Sequence, residues 1–185
     1  MVGHARNKKA ARCFLSRAKP TRPVLRQGVK SRASMARKLR YLTVQDILWI
    51  NLQATGRVNE FNFAALEEAT FGQYAYGSSD DLRSQATRLA KGFVAKSPLA
   101  EGNEATALIA VATFLRLNGA YLSVCDDEAA AWLASGASVP ELQIGHGDHQ
   151  ERMKDAVTQV LLAYPRAVQQ LGGNPLAIVA DGAIH

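Results

Sequence analysis

The stretch Asn103-Glu104-Ala105-Thr106-Ala107-Leu108-Ile109-Ala110-Val111-Ala112-Thr113-Phe114-Leu115-Arg116-Leu117 decides the fold class of this chain. After Glu104 it is apolar on nearly every side, broken only by Thr106, Thr113 and Arg116. A surface helix shows one apolar stripe, so a helix without a polar face must be covered on several sides. The expectation is therefore a buried central helix over about 103–118, with Asn118-Gly119 supplying its left-handed stop. The run is shorter than the roughly 18 apolar residues that a membrane span needs, and no membrane partner is expected.

The surrounding segments also carry helical patterns. Thr43, followed three residues later by Asp46, reads as a capping box ahead of Ile47, Leu48, Ile50 and Leu52, with Gly56 as the stop. Asn59 to Asn62 reads as a loop, and Ala64 to Thr70 as a short helix with Leu66 and Phe71 inward and Gly72 at its end. A helix from Asp80 or Asp81 to Lys96 turns Leu82, Ala86, Leu89, Ala90 and Phe93 to one side. Asp126 to Leu133 forms a shorter helix. Glu151 to Leu171 reads as one long helix that Pro165 kinks, and Leu176 to His185 as a small strand or ordered coil. No useful strand alternation occurs elsewhere, so the class is all-α.

Charge divides the 185 residues unevenly. Residues 1–40 carry 13 of the 22 Lys+Arg and none of the 16 Asp+Glu, so the formal net charge of +6 joins a basic leader to an acidic body. The organisation follows as a leader over 1–40, a helical domain over 41–172 and a tail over 173–185. Three readings of the leader stay open: an upstream start ahead of Met35, an organellar transit peptide, and an arm that binds nucleic acid or a ribosome through phosphates. Cys13 and Cys125 fit neither a zinc site nor a redox pair. Reduced thiols and a cytoplasmic setting are expected.

Three features occur in order: Leu42-Thr43-Val44-Gln45-Asp46-Ile47-Leu48, the loop Ser97-Pro98-Leu99-Ala100-Glu101-Gly102-Asn103-Glu104-Ala105, and Phe114-Leu115-Arg116-Leu117-Asn118-Gly119. Over Tyr41 to Leu122 this order resembles the Fic/Doc (Fido) superfamily, most closely its Doc, or death-on-curing, branch. The resemblance implies a Fido-like helical bundle around the buried helix. It also implies transfer of a phosphoryl or AMP group from Mg-ATP to a protein hydroxyl, in the Doc branch of a translation factor. A toxin–antitoxin setting, with an antitoxin-like segment as partner, follows from the same branch.

The family's loop reads His-Pro-Phe-x-Asp/Glu-Gly-Asn-Gly/Lys-Arg, and this chain keeps Pro98, Glu101, Gly102 and Asn103. By the resemblance Glu101 holds Mg²⁺, and Gly102 and Asn103 contribute the nucleotide- or anion-binding turn. Ser97 stands at the position of the general base, where an unperturbed hydroxyl cannot accept a proton at neutral pH. Glu104 and Ala105 replace the cations that grip phosphate, and Glu104 repels it. Loss of the base alone costs on the order of 10²–10⁴ in rate. The expectation is a degenerate motif in a protein that acts by binding; an active transferase is the rival.

Other groups carry plainer expectations. His146-Gly147-Asp148-His149 reads as a solvated loop before it reads as a metal site. Asp126-Asp127-Glu128 complements a helix dipole. Phe71, Tyr74 and Tyr76 border the region where Fido proteins receive their targets, and Trp49 and Trp132 lie in apolar helical patterns.

Overall fold

Helix α4 (Asn103–Leu117) has 12 buried residues among its 15 in the computed structural model of this chain. The residues described are 39–74, 81–144 and 151–174, all within the unit Lys38–His185. Around α4 pack α1 (Val44–Thr55), α3 (Leu82–Lys96), α5 (Asp126–Ala134), α6 (Met153–Ala163) and α7 (Pro165–Gln170). Helix α2 (Phe63–Phe71) lies against α1 and α3. The described residues form an all-α fold, with Phe93, Leu108, Ile109, Phe114 and Leu115 at the centre of its core.

Local chemistry sets the helix ends. Thr43 Oγ1 accepts from Asp46 N at 3.1 Å, and Asp46 Oδ2 accepts from Thr43 N at 2.8 Å, the expected capping box. Gly56 closes α1 at a φ of 71°. Ahead of α1, Gln73 is fully buried and pairs with both backbone groups of Leu42: Nε2 donates to Leu42 O at 2.7 Å and Oε1 accepts from Leu42 N at 2.6 Å. Asn118 similarly brackets Arg40, accepting from its N–H at 2.8 Å and donating to its carbonyl at 2.9 Å. Arg40, the last residue of the basic leader by charge, is thus tied to the helical fold.

The structure corrects several local expectations. The C-terminal helix is two helices: Tyr164, at φ −126° and ψ 43°, leaves the helical region, and Pro165 opens α7. Asp126 lies in the first turn of α5 as expected, yet its carboxylate also accepts from Arg166 N at 3.2 Å and Ala167 N at 2.9 Å. It thereby supplies orphan donors of α7 with acceptors. Phe71 is 44% exposed instead of inward, and its ring lies 5.7 Å from that of Tyr74. A two-stranded ribbon, β1 (Ala120–Tyr121) with β2 (Gln143–Ile144), pairs antiparallel. Trp49 and Trp132 are partly buried against the core. Cys13, the Leu176 to His185 tail and Tyr76 lie outside the described residues.

Candidate functional site

The α3–α4 loop, 97–102, is held by its own side chains and by α1. Ser97 ends α3 in the left-handed region, φ 42° and ψ 57°, and its N–H donates to Phe93 O at 3.0 Å. Such a conformation is uncommon for a residue other than Gly, Asn or Asp, and it swings the chain sharply into Pro98. The next residues form an isolated antiparallel bridge, Phe61 to Leu99. Asn62 N donates to Pro98 O at 2.8 Å and Ala100 N to Glu60 O at 2.9 Å. The loop between α1 and α2 therefore lies as an extended flank along the motif.

Asn103 clasps the turn from within. Its Oδ1 accepts from Leu99 N at 2.9 Å and its Nδ2 donates to Leu99 O at 2.6 Å. Gly102 adopts φ +70°, and a Cβ there would sit 2.5 Å from Thr55 Cγ2 and 3.2 Å from Asn51 Nδ2. Both the backbone angle and the contact require glycine. Thus Gly102 and Asn103 each have a complete structural role. Gly102 is also the N-cap of α4, and no side chain caps that end.

Asn51, only 2% exposed, links the loop to the core of the bundle. Its Nδ2 donates to Glu101 O at 3.0 Å and to Thr106 Oγ1 at 3.0 Å, while its Oδ1 accepts from Asn59 Nδ2 at 2.9 Å. Thr55 Oγ1 accepts from Asn59 Nδ2 at 3.0 Å. An asparagine among Ile47, Ile50 and Ala54 on the buried face of α1 was the sequence signal for this network. A buried amide needs partners, but the sequence does not say where they lie.

The carboxylate of Glu101 forms an ion pair with Arg57, just beyond the end of α1. Both side chains are more than half exposed, so the pair contributes little stability. Its consequence is local: the acid at the position that the resemblance gives to Mg²⁺ already has a cation. A divalent ion there would have to displace the guanidinium, and among the described residues no second carboxylate joins Glu101 in a chelating group. Among the described residues no set of three or more His, Cys, Asp or Glu could hold a metal. The residues present do not make a metal site by themselves.

Of the four residues singled out in the motif, Glu101, Gly102 and Asn103 come together at the head of α4, with Ser97 at the far end of the same loop. Ser97 is exposed, and every histidine of the chain lies outside the described residues, His146 and His149 included. Glu104 is exposed in the first turn of α4, whereas Ala105 is fully buried, so residue 105 faces the core. Arg57, which the motif gave no reason to select, is the cation closest to the loop's acid. In comparisons with known proteins, the chain matches no protein-family model, no curated protein and no solved structure.

Proposed function

We propose that this chain is a Fido-like protein of the death-on-curing type whose transfer chemistry is impaired and which acts by binding a protein partner. One observation carries the reading: a left-handed Gly102 and a loop-clasping Asn103 open a helix buried along its length, while Ser97 stands where a proton acceptor is needed. This is the scaffold of an anion-binding turn without its base. The electrostatics support the same reading. Glu104 adds negative charge where phosphate would approach, and Arg57 is engaged by Glu101.

Exposed Val58, Phe61 and Phe63 beside the extended flank at Phe61–Leu99 support a binding role. Exposed apolar side chains beside an extended segment suit docking of an extended peptide, such as an antitoxin-like one. The test is restoration. Purified Ser97→His, and Ser97→His combined with Glu104→Lys, are given labelled Mg-ATP and lysate proteins. The single variant transfers no label, because Glu104 still repels the phosphates, and the double variant does. A folded double variant with no transfer, while the wild type also lacks it, would count against the Fido-like scaffold.

A further inference from the structure

Arg57 and Glu101 meet because one buried network places both backbones. Asn51 Nδ2 donates to Glu101 O at 3.0 Å. Thr55 Oγ1 lies 2.9 Å from Asn51 O and 3.0 Å from Arg57 O, so its hydrogen is shared between the two carbonyls. Asn59 Nδ2 completes the network, donating to Asn51 Oδ1 at 2.9 Å and to Thr55 Oγ1 at 3.0 Å. Gly56, left-handed at φ 71°, turns the chain out of α1 just ahead of Arg57. With both backbones fixed in advance, only the two side chains remain to be ordered when the ion pair forms.

The oxygen atoms around the turn already serve the fold. The carbonyl of Glu101 accepts from Asn51, Asn103 Oδ1 accepts from Leu99 N at 2.9 Å, and Thr55 Oγ1 accepts from Asn59. What is left to a metal is the Glu101 carboxylate, and Arg57 is paired with it. Mg²⁺ ordinarily takes one or two carboxylates together with phosphate oxygens and waters. Here the one carboxylate is shared with a guanidinium, whose single positive charge both neutralises the acid and repels a doubly charged ion. These residues therefore do not fit the Mg²⁺ that the resemblance implies for Glu101. The pair adds little to folding because both side chains are more than half exposed, so its effect is to be read in cation affinity and not in stability.

We infer that Arg57 takes the place of a divalent cation at Glu101: the chain carries its own positive charge at this loop and keeps free Mg²⁺ and Mn²⁺ off it. Expecting a metal at Glu101 rests on the Fido-like reading; the ion pair and the network behind it do not. An ion that arrives chelated by a triphosphate brings its own oxygens and is held back less. Without the guanidinium, Glu101 and Glu104 would stand uncompensated at the head of α4. The test is a titration of the ¹⁵N-labelled full chain with Mn²⁺ in the absence of nucleotide, followed by paramagnetic broadening of the amides of Glu101, Gly102 and Asn103. In the wild type these amides should broaden no earlier than those of Asp127 and Glu128, the exposed acidic start of α5. Arg57→Gln should lower the Kd for Mn²⁺ at the loop about tenfold, and adding Glu101→Gln should abolish that gain. Arg57→Lys, which keeps the charge, should stay within about twofold of the wild type. Early broadening of the loop in the wild type, a Kd unchanged by Arg57→Gln, or an equal gain in Arg57→Lys would overturn the assignment. Because no ATP is present, each of these results is separable from a failure of the Fido-like reading, which shows in labelled transfer.

Discussion

Asn51 and Glu101 are joined across 50 residues of sequence by a 3.0 Å hydrogen bond from a buried side-chain amide to a loop carbonyl. The same Nδ2 reaches Thr106 Oγ1, so one side chain of α1 ties the motif loop to the first turn of α4. The loop is therefore held in shape by contacts with the bundle. Asn51→Ala would leave buried polar groups without partners and should cost about 2–3 kcal/mol, read as a shift in urea midpoint at constant slope.

Gly102 meets α1 in a second way. Gly102→Ala forces a Cβ into the left-handed region, worth roughly 1–2 kcal/mol, and presses it on Thr55 Cγ2. Thr55→Ser removes that methyl and keeps the hydroxyl that Asn59 uses. In a double-mutant cycle the cost of Gly102→Ala should fall in the Thr55→Ser background, while the φ penalty remains. Additive costs would show that the contact is not the cause.

Gln85 is buried in α3 with neither Nε2 nor Oε1 hydrogen-bonded. An unpaired buried amide is a liability that an apolar residue of similar shape avoids. Gln85→Met should raise stability by about 1 kcal/mol, seen as a higher thermal midpoint. A lower midpoint would mean that the amide has work in the native state.

Tyr164 gives the fold a pH dependence. Its hydroxyl hydrogen-bonds the carbonyls of Leu122 and Val124 at 3.2 and 3.1 Å, and burial, with the Asp126 charge nearby, pushes its pKa from 10.0 up to about 12. The native state favours the neutral phenol, so its contribution is complete below pH 10 and is lost as pH rises through about 12. Tyr164→Phe should cost about 1 kcal/mol at neutral pH and flatten the alkaline limb of stability against pH. An alkaline limb identical to that of the wild type would assign the dependence to other groups.

The parts of the fold that were legible were those written in local periodicity. Helix α4 was readable from end to end because an all-round apolar run admits little else, and Thr43 and Asp46 announced the start of α1. The break at Tyr164 was not, because Pro165 fits both a kinked helix and the first residue of a new one. The ribbon at Ala120–Tyr121 was invisible, since two residues cannot display an alternation. Phe71 was misplaced because its ring packs on Tyr74 at the surface and not on the core. The motif singled out Gly102 and Asn103 as an anion-binding turn; the packing and clasping roles they have in the fold needed Leu99, Thr55 and Asn51 in three dimensions. Arg57 lay beyond reach: nothing in the sequence pairs it with Glu101.

Transfer from ATP by the wild-type chain tests the central claim most directly. The protein is incubated with Mg²⁺, lysate proteins and ATP labelled in turn at the γ and α phosphates, and protein-bound label is counted. On the proposed reading, with Ser97 where the family has its base and Glu104 where it has a cation or glycine, label stays at background in both arms. Robust labelling that disappears on Glu101→Ala would contradict the account and establish an active transferase.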